Sequence, residues 1–212
     1  AFLINSHENP EPPTPPSRDR EDNDDDRLID IPDEPIPEAD GHWAHDCIIT
    51  LLEKGIITGY PDGTIRPDNY ITRLEAAVLI SRALKLEQDK IPSYSYIDKI
   101  PEWSQGYVSA VTRKGVFKGY PGPKFMAYTQ ITREQMATVL MRAFIPNSDK
   151  DVELVFSDKA QVGDWAIDYV KAGVKNNIIL GYPDGTFRPK DNITRAEAFT
   201  MVCKLLGYHV EH

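Results

Sequence analysis

A block of residues occurs three times in this chain at fixed internal spacing, and that repetition limits the possible folds more than any other feature. Trp43, Trp103 and Trp165 are each followed sixteen residues later by a glycine that opens Gly-Tyr-Pro: Gly59, Gly119 and Gly181. Thirty residues after each tryptophan comes the arginine of a Thr-Arg pair, at Arg73, Arg133 and Arg195. The copies are offset by 60 and then 62 residues. A period of this length marks one supersecondary unit used three times, whose apolar faces are buried only when the copies pack together.

Within each copy the apolar residues recur at helical spacing after the tryptophan, as in Cys47, Ile48, Leu51 and Leu52, which predicts a first helix with one buried stripe. Gly55, Gly115 and Asn177 close it, being residue types that tolerate the left-handed conformation. A turn follows, Pro-Asp-Gly in the first and third copies, with Asp62 and Asp184 able to bond back to the main chain. Thr72, Thr132 and Thr194, each with Glu or Gln three residues on, are capping boxes that start a second helix. Those second helices are the more apolar and are expected to be central. The result is an all-α chain of three helix-loop-helix units sharing a core, for which spacing alone allows either an arrangement around a pseudo-threefold axis or an open stack.

Charge separates a tail from this body. Residues 1–40 carry 13 acidic residues and 3 arginines, a net of −10 against −9 for the whole chain, so residues 41–212 hold +1. With eight of the seventeen prolines, residues 1–37 read as an extended, self-repelling linker. The repeats then occupy 38–92, 93–150 and 151–212. Residue 1 is Ala, and a leading linker suggests a piece of a longer protein. No apolar run approaches the roughly 20 residues that span a bilayer. A near-neutral body behind an acidic tail argues against nucleic acid. Cys47 and Cys203 lack metal-ligand spacing and read as buried free thiols.

Chemistry concentrates at the second-helix starts. Arg73, Arg133 and Arg195 oppose the helix macrodipole there, at about 0.3–1 kcal/mol each. The helix N–H groups and the guanidinium together could receive a carboxylate or phosphate. The competing reading is a structural ion pair with Asp62, Asp184 or a neighbouring repeat. The tryptophans read first as core residues and second as sugar platforms. The chain holds no Gly-rich phosphate loop, nucleophile elbow or repeated His, and nothing in it calls for a metal or cofactor.

Gly59 to Pro67 with Ile71-Thr72-Arg73-Leu74-Glu75, and Gly181 to Pro189 with Ile193-Thr194-Arg195-Ala196-Glu197, resemble the S-layer homology domain, in three tandem copies over about residues 38–208. The resemblance implies a pseudo-trimer with a central three-helix bundle, one helix from each repeat, and grooves between prongs. It implies a non-catalytic, extracellular anchor of Gram-positive and related bacteria, covalently part of a larger exported S-layer protein, enzyme or cellulosome scaffold. The implied partner is an anionic, peptidoglycan-linked secondary cell wall polysaccharide, held through a pyruvate ketal. The matching glycan-binding positions are Arg73, Arg133 and Arg195, with Gly59, Gly119, Gly181, Trp43, Trp103 and Trp165, and with Asp62 and Asp184 in the loops. The alternative is a protein-interaction module taking an acidic peptide or a neighbouring subunit. In the second copy, Gly122-Pro123-Lys124-Phe125-Met126-Ala127 replaces the Asp-Gly-Thr-x-Arg-Pro loop and Glu134-Gln135 replaces Ala-Glu, so the groove using that loop is expected to be the weakest.

Overall fold

In the computed structural model, residues 39–60, 62–147 and 151–208 are described, so the linker expected over 1–37 lies outside them. Six helices follow one another in pairs: α1 (His45–Glu53) and α2 (Arg73–Ala83), α3 (Gln105–Arg113) and α4 (Arg133–Phe144), α5 (Ile167–Lys175) and α6 (Arg195–Leu205). Short 3-10 turns cover Glu102–Ser104 and Lys159–Gln161. Each start and stop has a local cause. Thr72, Thr132 and Thr194 accept from the N–H of Glu75, Gln135 and Glu197, whose side chains reach back to the cap N–H, completing all three capping boxes. The first helices end at Gly55, Gly115 and Asn177, with φ of 63°, 74° and 59°.

The second helices meet one another pairwise, and each first helix packs on a second helix from another repeat: α3 on α2, α5 on α4 and α1 on α6. Repeat one therefore closes on repeat three. Leu74, Ile80, Met136, Leu140, Phe199 and Val202 are buried from the second helices into one continuous core. Removing side chains of this size from water stabilises the fold by about 1.5–3 kcal/mol each.

A hydrogen-bonded ring ties the helix starts together. The Ile71 N–H donates to the Ile193 carbonyl, Ile193 to Ile131, and Ile131 to Ile71, each at 3.1 Å. All three isoleucines are fully buried. Immediately beyond them, the next repeat's loop docks its carbonyls on the helix. The N–H groups of Arg73 and Leu74 donate to Thr129 and Ala127, those of Arg133 and Glu134 to Asp191 and Pro189, and those of Arg195 and Ala196 to Asn69 and Pro67. The helix-start N–H groups expected to receive an anion are thus already satisfied by backbone carbonyls. Any ligand must be held by side chains instead.

Candidate functional site

Each second-helix arginine is buried and reaches into the loop of the next repeat, 5–9 % exposed. The Nε atoms donate to the carbonyls of Phe125, Phe187 and Ile65 from Arg73, Arg133 and Arg195 respectively, at 2.8–2.9 Å. Tyrosine rings flank the guanidinium groups: Tyr120 at Arg73, Tyr182 at Arg133 and Tyr60 at Arg195, at 4.9, 4.5 and 4.7 Å.

Beyond these shared contacts the three arginines differ. Arg133 Nη1 meets Glu197 Oε1 at 2.9 Å, and Arg195 Nη1 meets Glu75 Oε1 at 2.8 Å. Those same carboxylates accept from the Tyr182 and Tyr60 hydroxyls and from the Thr194 and Thr72 cap N–H groups. Burial and the hydrogen bond to Glu197 push the Tyr182 phenol up to about 12, because the neutral hydroxyl is the form that donates. For these two arginines the ion-pair reading holds, with a capping-box glutamate from another repeat as partner. Arg73 has no such partner. Its Nη2 donates to the Lys118 carbonyl at 2.6 Å, and the residue standing where Glu75 and Glu197 stand is Gln135. Burial pushes the Arg73 guanidinium below its ordinary value, opposed by the phenols of Tyr120 and Tyr96.

A groove of about 190 Å³ opens at Arg73. Repeat one supplies Arg73; repeat two supplies Lys118, Tyr120, Gln135 and Arg142; repeat three supplies Trp165. Its lining carries three cations and no carboxylate. The indole of Trp165 is 51 % exposed and Trp43 is 52 % exposed, so neither is a core residue. Trp103 is the one that packs on the core, with its ring N–H buried and unpartnered among the described residues. Reading all three tryptophans as core therefore fails for Trp43 and Trp165. They stand in turns ahead of α1 and α5, where their ring faces need not follow the buried stripe.

Loop residues expected at the site work within the loop. Asp62 accepts from the Thr64 N–H and hydroxyl and from Arg66; Asp184 does the same with Thr186 and Arg188. Those bonds hold both carboxyls at about 2. Gly181 adopts φ of 77°, and a Cβ there would meet Phe156 Cε1 at 2.5 Å; at Gly119 it would meet Tyr96 Cε1 at 2.5 Å. The second loop keeps its shape without Asp-Gly-Thr. Tyr120 N–H donates to the Lys124 carbonyl at 2.8 Å, as Tyr60 does to Thr64, and Met126 takes the positive φ that Arg66 and Arg188 take. Asp98 receives the N–H groups of Phe125 and Met126, matching Asp158 with Phe187 and Arg188. No sequence motif marks Lys118 or Arg142 as site residues, whereas Gln135 stands in the motif at the position where the second copy departs from Ala-Glu.

Three helix-loop-helix units, each lending an arginine to its neighbour's loop, define a repeat-built module with a groove at Arg73 lined from all three repeats. Among the described residues no cluster of His, Cys, Asp or Glu could hold a metal ion, and no helix is long and apolar enough to cross a membrane. The S-layer homology domain matches residues 36–77, 94–137 and 155–199, and the chain belongs to that family. It is 34 % identical over 188 residues to a cellulosome-anchoring protein of Acetivibrio thermocellus, covering 85 % of this chain and 40 % of that protein. Similarity extends to an S-layer protein of Bacillus licheniformis, 35 % identical over 158 residues, 74 % of this chain and 18 % of that one. An amylopullulanase of Thermoanaerobacterium thermosulfurigenes is 31 % identical over 179 residues, 82 % of this chain and 10 % of the enzyme. The chain thus spans less than half the length of these relatives. It is a non-catalytic, cell-surface anchoring module.

Proposed function

We propose that this module attaches a larger exported protein, an S-layer protein, enzyme or cellulosome scaffold, to the cell surface by binding an anionic secondary cell wall polysaccharide. The bound group is a pyruvate ketal on a terminal sugar, whose carboxylate pairs with a second-helix arginine while the sugar ring lies on a tryptophan face. The observation that carries this reading is the groove at Arg73, where a buried guanidinium, two further cations and a half-exposed indole converge. A guanidinium is suited to a carboxylate because its N–H groups are held in a planar fork. An indole offers a flat apolar face to the C–H face of a sugar.

An acidic peptide would satisfy the same cations, so the test removes only the ketal. Wall polysaccharide purified from an S-layer-bearing Gram-positive bacterium and treated with mild acid loses its pyruvate while keeping its sugar chain. The module should co-sediment with untreated wall fragments and not with treated ones. Equal binding to both would exclude the ketal as the bound group.

A further inference from the structure

One substitution separates the three arginines. Three residues after each capping threonine stand Glu75, Gln135 and Glu197. In repeats one and three that glutamate receives Nη1 of a neighbour's arginine, so the guanidinium is neutralised inside the protein. In repeat two the carboxylate sits one position earlier, at Glu134. There it is 3 % exposed, receiving the Gly163 N–H at 2.9 Å and pairing with Lys190. Nη1 of Arg73 consequently has no hydrogen-bond partner among the described residues.

The neighbouring phenol is reversed as well. Tyr60 and Tyr182 donate their hydroxyls to glutamate. Tyr120 instead accepts from the Gln135 side-chain NH₂ at 3.2 Å, an orientation fixed because Gln135 Oε1 already accepts the Thr132 cap N–H. The Tyr120 proton is left for another acceptor. Nη1 of Arg73 and the Tyr120 hydroxyl are therefore donors without an acceptor among the described residues, and Lys118, Arg142 and the exposed Trp165 line the same groove, with Arg142 Nε already donating to the Tyr169 hydroxyl.

We infer that, among the described residues, the chain has one open anion-receiving groove, at Arg73, and that Gln135 is the specificity-determining residue that keeps it open for a single acidic sugar. This rests on the carbohydrate reading above. Glu197 and Glu75 occupy at Arg133 and Arg195 the place that a ligand carboxylate takes at Arg73. A ligand arriving there would set two carboxylates on one guanidinium, with like charges a few ångströms apart. Its volume also limits the occupant, since drug-sized sites enclose about 300–1,000 Å³ and this groove is smaller. The ranking expected from the altered second loop is reversed, because the loop keeps its geometry and loses a competing charge.

The test is calorimetric titration of the whole chain with a methyl hexoside carrying a 4,6-pyruvate ketal, alongside the methyl ester of the same compound. One site per chain is expected, with no binding of the neutral ester. Q135E restores the residue found in the other two repeats and should fold, so its thermal unfolding serves as the control. Its affinity should fall at least tenfold below that of the neutral variant Q135M. Two or three equivalent sites, or equal affinities for Q135E and Q135M, would overturn the single-groove inference while leaving the carbohydrate reading standing. No binding of the ketal by the unaltered chain would overturn both.

Discussion

Arg195 Nη1 lies 2.8 Å from Glu75 Oε1, joining the third repeat to the first across 120 residues of chain. Arg133 and Glu197 repeat the relationship between the second and third repeats at 2.9 Å. Both pairs are largely buried, so each glutamate is at once a helix cap, a phenol acceptor and the counter-charge of an arginine from elsewhere in the sequence.

Removing that counter-charge should be costly. E197A leaves the Arg133 guanidinium buried without a carboxylate, and breaking a buried pair from one side costs about 3–5 kcal/mol. E197Q keeps an acceptor for the Thr194 N–H, as Gln135 does for Thr132, and should lose less. Urea unfolding followed by circular dichroism measures both. A loss below about 1 kcal/mol for E197A would show that the pair is not a structural support.

Gly181 is constrained by space and by backbone angle together. In G181A the new methyl carbon would stand 2.5 Å from Phe156 Cε1 and 2.9 Å from the Thr186 carbonyl at a φ that side chains rarely adopt. Overpacking of this kind costs about 1–3 kcal/mol, to which the positive φ adds. Thermal unfolding should register the drop, and an unchanged midpoint would mean that Phe156 swings aside freely.

Most of the fold was legible because its signals are local. Threonine caps, Gly and Asn stops and the apolar stripes act within a few residues, and all three copies agree on them. What passes between repeats was not legible. The carbonyls of Thr129 and Ala127 fill the start of α2 from more than fifty residues away, and nothing in the Thr-Arg motif announces them. Gln135 reads as a capping-box residue and a departure from Ala-Glu, but its charge consequence shows only where Arg133 and Arg195 are paired with its counterparts. Residue pattern favours the core over a sugar platform for Trp43 and Trp165 because they precede amphipathic helices, yet a residue two positions outside a helix is not bound by its stripe.

The loop aspartates give a pH signature. Bonds to Thr186 and Arg188 lower the Asp184 carboxyl to about 2, against about 3.9 in an unfolded chain. A lowered folded value contributes stability that is fully present above about pH 4 and is lost as pH falls through about 2. Asp62 should behave alike. Carboxyl carbon shifts followed by NMR should place both midpoints near 2, and midpoints near 4 would mean that the loop bonds are not held in solution.

Cys47 and Cys203 are buried where α1 meets α6, with the Cys203 thiol 3.6 Å from the Cys47 carbonyl. Hydrogen bonding with the Cys47 side chain and burial push the Cys203 thiol up, while the same hydrogen bond lowers the Cys47 thiol. In the reduced protein, neither thiol should react with a disulfide reagent at pH 8 until urea opens the structure. Reaction of either in the folded state would show that the seam between repeats one and three opens readily.

The most direct measurement of the anion contact is an NMR spectrum of the arginine side chains, assigned and recorded while the pyruvate-ketal hexoside is added. The Arg73 guanidinium resonances should move and saturate at one ligand per chain, while those of Arg133 and Arg195 stay with their glutamates. Movement of Arg133 or Arg195 with Arg73 unchanged would contradict the assignment of the site to the groove that Gln135 leaves open.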